Sequence, residues 1–153
     1  MPILKLAIGS DHGGFRLKED IKEFLAEEGF AFEDFGTRSP ESVDYPDIAE
    51  KVAGAVLAGR CDKGILICGT GIGISIAANK LPGIRAALCH DTFSAKATRE
   101  HNDSNILAMG ERVIGFGLAR EIVRTWLGTQ FAGGRHAVRV GKIGELESKY
   151  ISR

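Results

Sequence analysis

The reading turns on Gly64 to Lys80, GILICGTGIGISIAANK, in which an apolar run, a thiol and three closely spaced glycines follow one another directly. Ile65, Leu66 and Ile67 have the β-branched-rich apolar character of a strand buried on both faces of a parallel sheet. Cys68 then stands at the carboxyl end of that strand. Gly69, Thr70, Gly71, Ile72 and Gly73 form a strand-to-helix turn, and Ile72 to Lys80 is expected to be helical. Such a turn exposes backbone N–H groups and can receive an anion. A thiol beside a helix amino terminus is favoured as thiolate.

Three phosphate-binding motifs do not fit. A Walker-type loop needs Gly-Lys-Ser/Thr after four intervening residues, and the first lysine after the turn is Lys80. A dinucleotide fingerprint needs its third glycine at position 74, which is Ile74. A cysteine-dependent phosphatase needs an arginine six residues after the cysteine, and that position is again Ile74. What remains is an anion-cradling turn with a thiol, against the plainer alternative of a buried cysteine and a tight turn that serve packing alone.

Outward from this stretch the chain alternates. Ile3 to Ile8 reads as a strand ending in the polar turn Gly9 to Gly14, followed by a helix whose inner face is Leu17, Ile21, Phe24 and Leu25. Ala31 to Phe35 is a second strand. Asp44-Tyr45-Pro46-Asp47 opens a helix with proline in its first turn, where the missing donor is harmless, and Ile48, Val52, Ala55 and Val56 face inward. After the glycine turn come strands at Ile84 to Cys89 and Ser104 to Met109. Phe93 to Glu100 is helical between them, and His101-Asn102-Asp103 precedes the last strand. Leu118, Ile122, Thr125 and Trp126 mark the inner face of the next helix, Gly128 to Gly134 is a break, and Arg135 to Tyr150 is a final helix with Arg135 and Arg139 on one face. The expected fold is α/β: a three-layer αβα sandwich, Rossmann-like, with five parallel strands and helices on both faces.

Composition narrows the function. The 153 residues suit one domain, and 20 basic residues balance 20 acidic ones, so no global field attracts nucleic acid or an anionic membrane. No apolar run is long enough to span a bilayer and the amino terminus lacks a signal pattern, which places the protein in the cytoplasm. Three cysteines without CxxC spacing imply reduced thiols rather than disulfides or structural zinc. The helix after Gly71 is small and apolar almost all round. That pattern predicts a homo-oligomer with this helix at the interface, the alternative being a helix wedged inside the chain.

In parallel sheets ligands bind beyond the carboxyl ends of the strands. Asp11 and His12, Cys68 with its glycines, His90 and Asp91, and Arg112 all follow strands. A thiol, imidazoles, an anion turn and arginines suit proton transfer on a small phosphorylated substrate. Cys61 and Cys89 are read as packing residues, and His90 and His136 as surface imidazoles outside the site.

SDHGGFRLK at 10–18, DFGT and SVDYPD within 34–47, GILICGTGIGISIAANK at 64–80, GIRAALC at 83–89, HNDSNILAMGER at 101–112 and GGRH at 133–136 recur in one order and spacing. Together they resemble the type B ribose-5-phosphate isomerases, a family that also takes in the galactose-6-phosphate isomerase subunits. The resemblance implies that Cys68 is the base moving a proton between C1 and C2 of the open-chain sugar. Gly69, Thr70, Gly71, Ile72 and Gly73 would form the enediolate hole, with the Thr70 hydroxyl nearby. His101 would open the furanose ring, and Asn102 and Asp11 would hold hydroxyls or share in that step. His12, Arg112, Arg135 and Arg139 would hold phosphate. A family branch with a glutamate base after the third glycine is excluded by Ile74.

The same resemblance implies a metal-independent enzyme without cofactor, and a dimer or dimer of dimers whose active site lies between subunits and receives the helix at about 135–150. A six-carbon sugar-phosphate isomerase and a non-catalytic sugar-phosphate-binding module remain as alternatives.

Overall fold

The computed structural model describes residues 4–151. Strands and helices alternate as β1 (Lys5–Ser10), α1 (Phe15–Glu27), β2 (Ala31–Asp34), α2 (Tyr45–Leu57), β3 (Lys63–Cys68), α3 (Ile72–Ala78), β4 (Ala86–Leu88), α4 (Thr92–Asn102), β5 (Ile106–Gly110), α5 (Phe116–Leu127) and α6 (Arg135–Ile151). A 3-10 turn at His12–Gly14 links β1 to α1. All four strand pairings are parallel, in the order β2-β1-β3-β5-β4. Among the described residues no helix is long and apolar enough to cross a membrane.

The two-residue period of a strand sorts side chains into two cores. Leu6, Ile8, Ile65, Ile67, Leu107 and Met109 point to one face and meet α1, α4 and α5. Ala7, Leu66, Cys68, Ile106 and Ala108 point to the other and meet α2 and α3. The expected αβα sandwich is therefore observed, with Cys68 on the α2–α3 side. From β1 the chain moves outward to β2 and returns on the other side as β3. The carboxyl ends of β1 and β3 consequently flank a topological switch point, where a crevice opens.

Several boundaries differ from the sequence reading. Ile3 lies outside the described residues. The inner stripe of α5 is Ala119, Ile122, Val123 and Trp126, spaced i, i+3, i+4 and i+7, while Leu118 is exposed and Thr125 half-buried. Both sets fit helical spacing and share Ile122 and Trp126; the packing turns the stripe toward Ala119 and Val123. Helix α4 runs on through His101 and Asn102, because Asp103 takes the left-handed cap position (φ 46°, ψ 48°) and ends it there. Helix α3 stops at Ala78. It buries Ile74, Ser75 and Ala78 but leaves Ile72 and Ile76 about half exposed, so no described part of the chain covers its second side. That sets aside the internally wedged alternative.

Candidate active site

At the end of β3 the Cys68 Sγ accepts a hydrogen bond from Gly71 N–H at 3.1 Å. The bend requires glycine at 71: its φ of +77° lies in the left-handed region, and a Cβ there would come within 2.6 Å of Leu88 Cδ1. Ile72 N–H donates to Thr70 Oγ1 at 3.2 Å. Two of the five amides from Gly69 to Gly73 are thus engaged inside the turn. Gly69 and Thr70 precede α3, and Gly73 lies in its first turn, where amides have no intrahelical acceptor.

The end of β1 meets this turn backbone to backbone. Asp11 N–H donates to Ile67 O at 3.3 Å, and a Cβ on Gly13 would lie 3.1 Å from Gly69 N. Asp11 is buried, and its Oδ1 accepts from the N–H groups of Gly13 and Gly14 at 2.9 and 3.2 Å. His12 Nδ1 accepts from Val43 N–H at 3.2 Å, which leaves the ring proton of the neutral imidazole on Nε2. Just beyond β5, Arg112 N–H donates to Gly69 O at 3.0 Å, and its guanidinium lies over Gly69. Tyr45, at the start of α2, lays its ring against Gly73. Asp11, His12, Cys68, Thr70 and Arg112 therefore form one cluster, as the strand-end rule predicted.

A buried ion pair holds this cluster from behind. Lys18, fully buried, donates to Asp34 Oδ2 at 2.5 Å, and Lys22 does so at 2.9 Å. Asp34 Oδ1 accepts from Gly36 N–H at 2.8 Å, Gly36 O accepts from Ser10 N–H at 2.8 Å, and Thr37 N–H returns to Ser10 O at 2.6 Å. Burial alone would raise the Asp34 carboxyl. Hydrogen bonds from Lys18, Gly36 N–H and Lys22 outweigh it and hold that carboxyl below its ordinary value.

His101, Asn102, Arg135 and Arg139 lie elsewhere. Helix α4 begins beyond the carboxyl end of β4 and returns to the amino end of β5, so its last turn lies one helix length, about 16 Å, back from its own start at the carboxyl edge. The His136 ring stacks on His101 with centroids 4.3 Å apart and planes 16° apart, which brings the start of α6, with Arg135 and Arg139, to the same end. Slight desolvation and the neighbouring His101, Arg135 and Arg139 keep the His136 imidazole below its ordinary value, with Glu100 opposing.

Neither His136 nor His90 is a free surface imidazole. His90 Nε2 accepts from Gly110 N–H at 3.0 Å, and burial lowers its basicity. Sequence reasoning missed His136, His90 and Tyr45 because their partners come from other elements. The segments GGRH and SVDYPD marked His136 and Tyr45, and the strand-end rule marked His90, without naming their partners. Among the described residues no group of three or more His, Cys, Asp or Glu is placed to hold a metal ion.

Residues 6–143 match the family described as Ribose/Galactose Isomerase. The chain belongs to that family. This ribose/galactose isomerase is 54% identical over 145 residues to ribose-5-phosphate isomerase B of Escherichia coli, covering 95% of this chain and 97% of that one. It superposes on ribose-5-phosphate isomerase B of Clostridium thermocellum with a TM-score of 0.95 at 63% identity, covering 96% and 99% of the two chains. It is also 45% identical over 146 residues to a D-erythrulose-4-phosphate isomerase of Pectobacterium atrosepticum, covering 95% and 96%. The similarity spans both the glycine-turn cluster and the α4 end of this isomerase.

Proposed function

We propose that the protein interconverts D-ribose 5-phosphate and D-ribulose 5-phosphate by proton transfer through an enediolate. The observation that carries this is near-full-length similarity to two ribose-5-phosphate isomerases B, 54% and 63% identical, with the family match over residues 6–143 spanning the Cys68 turn. His101 assists ring opening: the C1–O4 bond breaks, O4 gains a proton, and the anomeric hydroxyl loses one to leave the aldehyde. Cys68 thiolate then takes the proton from C2, the electron pair moves into C1–C2, and the former aldehyde oxygen becomes anionic. The amides of Gly69, Thr70 and Gly73, with the Thr70 hydroxyl, face that developing charge. Return of the proton from sulfur to C1, with transfer of the O2 proton to O1, gives the ketose. Asp11 and Asn102 hold hydroxyls, and His12, Arg112, Arg135 and Arg139 bind phosphate through charge-assisted hydrogen bonds. No metal or organic cofactor has a part in these steps.

The return of α4 along the sheet, about 16 Å of helix, supports a site whose two halves come from different chains. We infer a homo-oligomer, at least a dimer, in which α4 and α6 of one subunit complete the Cys68 site of another. The exposed Ile72, Ile76 and Phe93, together with Val138 and Leu146 of α6, supply apolar surface for that contact. On this reading residues 1–153 are one catalytic domain, with α6 reaching the neighbour.

The test is incubation with ribose 5-phosphate and excess chelator, following ketose formation for the native protein and Cys68→Ala. Sustained turnover that the substitution abolishes is expected. No native turnover, or full turnover by the variant, would sink the assignment. The relative acting on a four-carbon phosphosugar favours a second reading, in which another chain length is preferred. Rates on four-, five- and six-carbon phosphosugars separate the two.

A further inference from the structure

Helix α4 ends with an unusual concentration of side-chain donors. Asp103 is the only non-glycine residue with positive φ among those described. That conformation is costly for most L-residues and tolerable for Asp. Its carboxylate lies between two guanidiniums, with Oδ1 2.9 Å from Arg99 Nη1 and Oδ2 3.4 Å from Arg85 Nη2. The same arginines satisfy carbonyls that the helix end orphans. Arg85 Nε reaches Asn102 O at 3.1 Å and Asp103 O at 3.0 Å, and Arg85 Nη2 reaches Asp103 O at 2.9 Å. Arg99, itself buried, reaches Ser104 O at 2.7 Å and Thr129 O at 3.3 Å.

We infer that Asp103, gripped by Arg85 and Arg99, is a positioning residue that sets the orientation of His101 and Asn102 at the end of α4. The inference rests on the reading of His101 as the ring-opening residue. A free helix terminus frays and turns its last side chains through many orientations. Here the residue just after Asn102 is anchored from two elements, β4's leading segment and α4 itself, while the His101 ring, one face stacked on His136, stays outside the anchor and exposed. The arrangement also explains why a strained backbone is kept at 103: glycine would relieve the strain but remove the carboxylate that both guanidiniums share.

The test separates ring opening from enolisation. Ribulose 5-phosphate has its O5 esterified and cannot close a five-membered ring, so exchange of its C1 hydrogen with D2O needs Cys68 and the enediolate hole but no ring opening. The readout is the ratio of ribose 5-phosphate turnover to that exchange rate, in Asp103→Gly, Asp103→Asn and, as control, His101→Asn. Gly accepts the 103 conformation without strain, and Arg99 keeps its bonds to Ser104 O and Thr129 O, so the fold is preserved.

The ratio is expected to fall about 10- to 100-fold in Asp103→Gly, as small misplacements of a reacting group do, and less in Asp103→Asn. A normal ratio in Asp103→Gly, with a lowered one in His101→Asn, would overturn the inference and leave the reading of His101 standing. Turnover and exchange falling in parallel in both Asp103 variants would reveal a merely structural residue and also overturn it. A normal ratio in His101→Asn would remove the reading of His101, and this inference with it.

Discussion

At the carboxyl edge of the sheet, Cys68, Gly69 and Gly13 are set into the protein: two strands end there, backbone touches backbone, and the Lys18–Asp34 pair secures the loop behind them. At the α4–α6 end, His101 and the arginines stand on a surface, and all 17 residues of α6 escape burial. Under the proposed function, the contrast follows from what each part would do. A base and an oxyanion hole work through preorganised dipoles, which a packed sheet edge holds without reorganisation. Groups that complete a neighbouring subunit's site, as proposed for His101 and the arginines, must project outward. They are therefore held by hydrogen bonds at the helix end rather than by a core.

The largest effect expected at the carboxyl edge is loss of the base. Cys68→Ala should lower turnover by about 10³-fold or more while phosphosugar binding, read by calorimetry, persists. Loss of binding as well would mean that the thiol shapes the site rather than acting in it. The comparison itself is tested by mixing. If the halves come from different subunits, Cys68→Ala and His101→Asn proteins, each nearly inactive, should regain about a quarter of native activity when dissociated and reassembled together as random dimers. No recovery in a verified heterodimer would place both halves in one subunit's site.

A smaller change is expected for phosphate. Arg139→Ala should raise KM about 10- to 100-fold, the worth of a charge-assisted hydrogen bond, with a lesser change in kcat. The smallest effect concerns acid stability. Because the folded Asp34 carboxyl lies below its ordinary value of 3.8, its contribution is complete above that pH and is lost as pH falls through the folded value. Urea midpoints should therefore decline more steeply below about pH 4 in the native protein than in Asp34→Asn. Identical slopes would show that the ion pair behind the catalytic edge contributes nothing to acid stability.

The three thiols offer a check on the same contrast. Burial pushes Cys89 up to about 11, aided by Asp91, and also raises Cys61. Alkylation near pH 8 should modify Cys68 first, with activity lost in step with labelling by peptide mapping. Earlier labelling of Cys89 would contradict the packing role assigned to it.

Much of the carboxyl edge was legible in the chain because its residues are neighbours in sequence. Ile65 to Gly73 carries the strand, thiol and turn in one run, and the rule that ligands bind beyond strand ends brought Asp11, His12 and Arg112 to it. The α5 face was misread at Leu118 because positions 118, 122, 125 and 126 and positions 119, 122, 123 and 126 both fit helical spacing, and only packing against the sheet selects between them. His136, His90 and Tyr45 were missed for a different reason: a ring stack, an N–H acceptor and a ring against glycine depend on which elements cross, and local patterning carries no record of that.

From the sequence alone came the α/β alternation, the thiol at a glycine turn and the family resemblance, since short-range periodicity and contiguous motifs encode them. Tertiary structure alone decided that the predicted site divides in two. Helix α4 must travel back along the sheet before β5 can pair in parallel, and that return carries His101 a full helix length back from the carboxyl edge where α4 starts.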